Sequence, residues 1–248
     1  MAIRIWAAQS SGGVARFIYK SKKWKTFDTD NGNIYADPTN RSSLYYVNSQ
    51  GLVVHENFNT GDTTTYPALP NNIPITQVTV GLNGRLWAIG TVAENGNQNI
   101  LYRLGMDFKT WDMYSEHPAD ISADWCNITS CYYVDENGLV VWRNADKNIT
   151  IQYTGIEALK VSVSFGNPPF AIDSNQNLRQ WNPATEEWNL YSKVQCQSIF
   201  ADPVCVFKCY FVDMDGAVSW YDIRKDEIHS IQKNQLTTKQ VSIGNIWP

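Results

Sequence analysis

The amino-acid sequence predicts an all-β fold: one six-bladed β-propeller spanning residues 1–248, closed by an exchange of strands between its two termini. Three observations carry that expectation. A four-residue strand core recurs at near-equal steps, a similar hairpin follows each core, and the two chain ends supply complementary halves of one repeat. The cores begin at Ile34, Val78, Ile121, Val161, Ile199 and Val241, separated by 44, 43, 40, 38 and 42 residues. Wrapping from Val241 through the C-terminus to Ile34 adds a sixth step of 41, so six steps consume the whole chain and leave no second domain.

Each core starts the first strand of a repeat. Second strands follow from Tyr45, Trp87, Tyr132, Phe170 and Tyr210, with Trp6 holding the same place at the start of the chain. Third strands follow at Gly51–His55, Asn99–Tyr102, Gly138–Trp142, Asn177–Trp181 and Gly216–Trp220, with Gly13–Arg16 as the first unit's counterpart. Asn, Asp and Gly between these strands provide the positive-φ positions that tight hairpins need. A fourth strand carries an aromatic in several repeats, as at Trp24, Trp111 and Trp188. The stretch Val241–Gly244 is a first strand with no second strand after it, and Ile3–Ala8 is a second strand with no first. Joining the two completes the sixth blade and removes an open sheet edge.

Composition narrows the function classes. With 20 Lys+Arg against 24 Asp+Glu, net charge −4, and no Lys/Arg block, neither nucleic acid nor an anionic membrane surface is an expected partner. No apolar run approaches the ~18 residues of a membrane helix. Aromatics at 13%, with 10 Trp, exclude disorder and favour β-structure with aromatic surfaces. The sequence lacks HExxH, CxxC, P-loop, Rossmann and Gly-x-Ser-x-Gly motifs, and His55, His117 and His229 lie on different repeats, so neither a cofactor nor a metal is expected.

A second periodicity overlies the first. The cores at Ile34, Ile121 and Ile199 end in Ala-Asp, placing Asp37, Asp124 and Asp202 on alternate repeats, spaced 87, 78 and 83 residues around the ring. These carboxylates either accept turn amides, with Pro38 and Pro203 directly following, or converge to orient a polar ligand, a cation or a glycosidic bond. Two residues earlier, Tyr35, Thr79, Ser122, Ser162, Phe200 and Ser242 form an uneven ring of two aromatics and four hydroxyls, a candidate pocket mouth. The third strands end in Trp142, Trp181 and Trp220, with His55 equivalent; these are inter-blade packing or a sugar platform. Cys126/Cys131 and Cys205/Cys209 flank equivalent hairpins, and both pairs are expected to form disulfides, leaving Cys196 free. That pairing implies the secretory pathway. The sequons at Asn40, Asn127 and Asn148 add little, since chance alone gives about one or two in a chain this rich in Asn. Because the opening lacks the apolar run of a signal peptide, secretion implies a leader already removed ahead of residue 1.

The stretches Val161–Phe165 and Ala171–Trp181 resemble tectonin-type repeats. Those at Ile3–Trp6, Leu44–Ser49 and Cys209–Asp213 resemble the fungal fucose-specific lectins, which are also six-bladed. The lectin resemblance implies sugar held between blades by an Arg of the second strand and a Glu of the third. Only Arg4 and Arg85 match the Arg. Leu44, Cys131, Phe170 and Cys209 replace it elsewhere, and the Glu position holds Arg16, His55, Arg103, Trp142, Trp181 and Trp220. Since a multivalent lectin gains avidity by keeping its pockets alike, this divergence points to one asymmetric site. The chain in that respect resembles the fungal hetero-Diels–Alderases, lectin-like propellers that join a polyketide-derived quinone methide to a terpene. That resemblance implies a cofactor-free pericyclase with an aromatic central funnel. Tyr35, Asp37, Asp124 and Asp202 would be its catalytic groups, and Phe200, Trp125, Thr79, Ser122, Ser162, Ser242, Arg85 and Arg4 would bind substrate. The alternative is a secreted lectin using Trp142, Trp181, Trp220 and His55, so the expected partner is a small apolar or aromatic molecule, or a glycan.

Overall fold

The computed structural model describes residues 4–27, 33–40, 42–81, 84–93, 98–203, 205–232 and 237–244. It is an all-β propeller. The chain opens with β1 (Arg4–Gln9), β2 (Val14–Ile18) and β3 (Lys23–Phe27), then β4 (Ile34–Ala36), β5 (Ser43–Val47), β6 (Val53–Asn57) and β7 (Thr63–Thr65). The third set is β8 (Ile75–Val80), β9 (Leu86–Val92), β10 (Gln98–Leu104) and β11 (Trp111–Tyr114). The fourth is β12 (Asp120–Ala123), β13 (Ser130–Val134), β14 (Val140–Asn144) and β15 (Ile149–Tyr153). After β16 (Ala158–Ser162), β17 (Phe170–Asp173) and β18 (Asn177–Asn182) comes the long β19 (Glu187–Ala201), followed by β20 (Lys208–Asp213), β21 (Val218–Asp222), β22 (Glu227–Gln232) and β23 (Thr238–Gly244). A 3-10 turn stands at Pro70–Asn72, and among the described residues no helix is long and apolar enough to cross a membrane.

The recurrent cores all lie in first strands, and each is followed by the antiparallel partner expected of it. The terminal strands also meet. β23 pairs with β1 from Arg4↔Gly244 to Gln9↔Thr238, giving the order β23-β1-β2-β3; Ile3 lies outside the described residues. The hydrogen-bonded sheets are not six separate ones, however. Four are four-stranded, while β16 through β22 form one seven-stranded sheet. The cause is β19, which pairs with β18 through Glu187–Tyr191 and again at Gln195, and with β20 at Cys196–Ala201, so one continuous strand serves two ladders.

The turns follow from side-chain chemistry. In four second-to-third-strand hairpins a carboxylate or amide oxygen accepts backbone N–H groups two and four residues on. Asn48 takes Gln50 and Leu52, Asp135 takes Asn137 and Leu139, Asp173 takes Asn175 and Asn177, and Asp213 takes Asp215 and Ala217. In three of them a positive-φ glycine presses on the next first strand. The carbonyls of Gly51, Gly138 and Gly216 accept the N–H of Ile75, Ala158 and Thr238 at 2.9, 2.7 and 3.1 Å. The fourth hairpin makes the same contact through Gln176, also at positive φ, whose carbonyl accepts the Cys196 N–H at 3.0 Å, so this joint is shared by both kinds of repeat and does not follow the Ala-Asp alternation.

Apolar side chains fill the gaps between sheets. Trp6, Ile34 and Leu44 share one cluster, Trp87, Ile121, Cys131 and Tyr133 another, and Phe170, Leu178, Cys196 and Cys209 a third. This packing overturns both expected disulfides, since all five cysteines are free. Cys131 and Cys209 are fully buried inside these clusters, whereas Cys126 is exposed and Cys205 half-buried in the preceding loops. Each buried sulfur lies within an apolar cluster between sheets. The argument for an oxidising compartment drawn from those bridges falls with them.

Candidate functional site

Two successive rings of side chains stand on the first strands, two residues apart, and Asp37, Asp124 and Asp202 follow two residues further on in alternate repeats. Of these three levels the middle ring is the one expected from the sequence. Its four hydroxyls are tied into the scaffold, each bridging to the first strand next to its own. Ser242 Oγ accepts the Ala36 N–H at 2.7 Å, and Thr79 Oγ1 accepts Ala123 at 2.9 Å. Ser122 accepts Val163 at 3.1 Å, and Ser162 accepts Ala201 at 2.9 Å. Tyr35 and Phe200 occupy the other two positions and pack together with ring centroids 5.4 Å apart. The Tyr35 hydroxyl accepts a hydrogen bond from Trp125 Nε1 at 3.0 Å, and Trp125 is fully buried. Burial holds the Tyr35 phenol neutral by pushing its pKa up. These three aromatics fill the axis as a plug, and Tyr35 and Phe200, with Ser122 and Ser162, also line the cavity on one side of it.

The cavity on that side of the plug is axial, about 300 Å³, and all six inner strands line it. Its rim is the ring one step earlier: Asn33, Gln77, Asp120, Lys160, Ser198 and Gln240. Sequence reasoning missed these residues, although counting back two positions from the middle ring finds them. The rim is polar. Asp120 accepts Gln77 Nε2 at 2.7 Å and the Lys160 ammonium at 3.0 Å on one oxygen, and the Val161 N–H at 2.8 Å on the other.

Asp37, Asp124 and Asp202 lie at the opposite end, beyond the plug and outside the cavity lining. Each accepts amides of the loop that follows. Asp37 Oδ1 takes Thr39 and Asn40, Asp124 Oδ1 takes Cys126 at 2.8 Å, and Asp202 Oδ1 takes Cys205 at 3.0 Å. The second oxygen of Asp37 meets His55 Nε2 at 2.8 Å, and that of Asp124 accepts Trp142 Nε1 at 2.9 Å. Burial pulls the Asp37 carboxyl upward, but hydrogen bonds from His55 and Thr39 outweigh it and hold the pKa below its ordinary value. Arg85 stands at the Asp-bearing end, where its carbonyl accepts the Gly81 N–H at 2.8 Å, and its guanidinium donates to the Leu104 carbonyl at 2.9 Å beside a separate surface depression with Asp112 and Asp146. Arg4, at the other chain end, pairs in register with Gly244.

The four third-strand rings differ in what they present. His55 stacks on Tyr45 with centroids 4.3 Å apart. Trp220 carries His229 at 3.9 Å on one side and the Lys208 ammonium 4.3 Å from its centroid. Trp142 is held by its bond to Asp124. Trp181 instead meets Tyr153 and Trp188 at near-perpendicular angles of 81° and 71° and lines a cleft of about 330 Å³ between the β12–β15 sheet and β17–β18. Tyr132, Tyr153, Asp124, Asn167 and Pro169 share that lining. Asn167 is buried, with 7% of its surface exposed; its amide donates to Ser164 Oγ at 2.6 Å while its Oδ1 has no hydrogen-bond partner among the described residues. Burial pushes the Tyr132 and Tyr153 phenols upward, so both stay neutral donors. Among the described residues no group of three or more His, Cys, Asp or Glu is placed to hold a metal ion.

Fold and site together define a β-propeller protein with an axial cavity and an aromatic cleft between neighbouring sheets. Among solved structures the chain is similar to a streptogramin B lyase (TM-score 0.64, 12% identity, covering 96% of this chain and 83% of that one). It is likewise similar to an oligogalacturonate lyase in complex with manganese (0.64, 10% identity, 92% and 78%) and to YCF48 bound to D1 peptide (0.58, 11% identity, 95% and 82%). At such identities the likeness is one of fold. No protein-family model and no curated protein sequence matches the chain.

Proposed function

We propose that this protein is a six-bladed carbohydrate-binding propeller that takes a hydroxyl-rich ligand in the cleft at Trp181. Counting six blades treats β19 as the outer strand of one blade continued into the inner strand of the next, which its pairing first with β18 and then with β20 supports. The observation that carries the function is the pairing of an aromatic platform with an unspent buried acceptor. Trp181 and Tyr153 offer the apolar C–H face of a sugar a ring to lie on. Asn167 lines the same cleft, and its Oδ1 is buried without a partner, an arrangement that costs about 1–3 kcal/mol and that a side-chain shift toward a ligand hydroxyl would relieve. A cycloaddition site on the axis finds less support. The cavity there has a polar rim that carries two ammonium groups and a carboxylate, with apolar surface only at its Tyr35–Phe200 floor, which does not suit two apolar reactants.

The test is a glycan array followed by calorimetry on the full chain. We expect one site per chain and at least a tenfold loss of affinity in Trp181→Ala, with the circular dichroism spectrum unchanged. Binding indifferent to Trp181, or no glycan bound at all, overturns the proposal.

A further inference from the structure

The axial cavity lies at the other end of the inner strands from the Trp181 cleft and has a chemistry of its own. Its lining includes Lys160 and Lys239 against the single carboxylate of Asp120, one net positive charge in a chain whose total is −4. Asp120 is already engaged, one oxygen by Gln77 and Lys160 and the other by the Val161 N–H. An ammonium has three N–H donors. Lys160 donates to Asp120 alone among the described residues, and its half-exposed side chain opens onto the cavity. The Asp120 carboxylate also raises the Lys160 pKa, so the ammonium stays charged at neutral pH. Low-dielectric walls concentrate such a charge on whatever enters. Below it the Tyr35–Phe200 pair forms an apolar floor, and Ser198 and Gln197 add hydroxyl and amide groups at the side. A volume of about 300 Å³ is at the small end for ligand pockets and admits a single ring.

We propose that this axial cavity is a second binding site, for a small hydroxyl-bearing carboxylate of the sugar-acid class, with its carboxylate on the Lys160 ammonium and its ring above Tyr35 and Phe200. The site is independent of the Trp181 cleft. Calorimetry on the full chain at pH 7 with D-glucuronate as probe, and with D-glucose and inorganic phosphate beside it, tests the assignment. One glucuronate per chain is expected, with glucose at least tenfold weaker and affinity falling as sodium chloride rises from 50 to 500 mM, on the order of a few-fold. Lys160→Gln should lose at least tenfold, whereas Trp181→Ala should bind glucuronate as the unaltered chain does. Lys239→Gln, which leaves Asp120 paired, should bind two- to fivefold more weakly and decides the matter if Lys160→Gln does not fold. Absence of glucuronate binding overturns the proposal. So do glucose or phosphate binding as tightly as glucuronate, and loss of binding in Trp181→Ala with retention in Lys160→Gln.

Discussion

Individual side chains set what each end of the molecule can do. Asp37 illustrates the constraint: its carboxylate ties Thr39, Asn40 and His55 together, and these bonds exist only in the folded chain. Because its folded pKa lies below the unfolded value, its contribution to stability is present in full above the ordinary carboxylate pKa of about 4 and is lost as the pH falls through the lower folded value. Asp37→Asn should therefore flatten the acid limb of a stability-against-pH curve measured by urea unfolding. The thiols give a second residue-level test. Burial pushes Cys196 to about 12 and drives Cys131 and Cys209 well above the usual thiol range, whereas Cys126 is exposed. Ellman's reagent should titrate five thiols in denaturant without reductant, with Cys126 reacting ahead of the buried three in the native protein. A count of one in denaturant would restore the two disulfides. The pairs stand beside hairpins at equivalent places in the sequence, but where each sulfur lies depends on the packing between sheets, and that is not visible in cysteine spacing.

At the scale of elements, two devices join each sheet to the next. Inner-strand hydroxyls accept the N–H of a neighbouring first strand, and hairpin carbonyls at Gly51, Gly138 and Gly216 accept another. Ser242→Ala leaves the Ala36 N–H buried and unpaired at the closing seam, a loss of about 1–3 kcal/mol that urea denaturation should register. Gly138→Ala is expected to cost more than about 1 kcal/mol, because φ is +77° and a Cβ there would stand 2.7 Å from Glu157 Cγ and 3.3 Å from the Ala158 nitrogen. The middle ring was legible in the sequence as a ring, since period-2 alternation places Thr79, Ser122, Ser162 and Ser242 on one face. Its role was not legible. A hydroxyl that lines a pocket and one that holds a neighbouring strand look alike until the facing N–H is known. Asp37, Asp124 and Asp202 behave similarly, since the prolines after two of them already marked a turn, and the turn is where their bonds go.

Across the whole molecule, closure depends on β23, which supplies the innermost strand of the sheet begun by β1. Deleting residues 237–248 exposes the backbone of β1 along its full length and uncovers Trp6 and Ile5, both buried. We expect such a truncation to lose cooperative thermal unfolding and to aggregate, measured by calorimetry and light scattering; a soluble chain with a single sharp transition would show that the seam is dispensable. The same ring arrangement separates the two candidate sites, because Tyr35, Phe200 and Trp125 block the axis between the polar cavity and the Asp-bearing end.

The repeat period, the hairpin chemistry and the complementary terminal strands are all written along the chain. By themselves they determined an all-β propeller closed end to end, because local turn geometry and period-2 patterning are properties of neighbouring residues. Three things were decided only in three dimensions. The first is the continuity of β19 across two ladders. The second is the burial of Cys131 and Cys209, unbridged, in apolar clusters between sheets. The third is which of four equivalent aromatics keeps an open cleft beside it. All four are half-buried; His55 stacks on Tyr45, Trp220 on His229 and Trp142 is tied to Asp124, while Trp181 lines the cleft that Asn167 also borders. The physical reason is that a ring's accessibility and a polar atom's unmet bond are set by groups from other strands and other sheets, brought alongside only when the propeller closes.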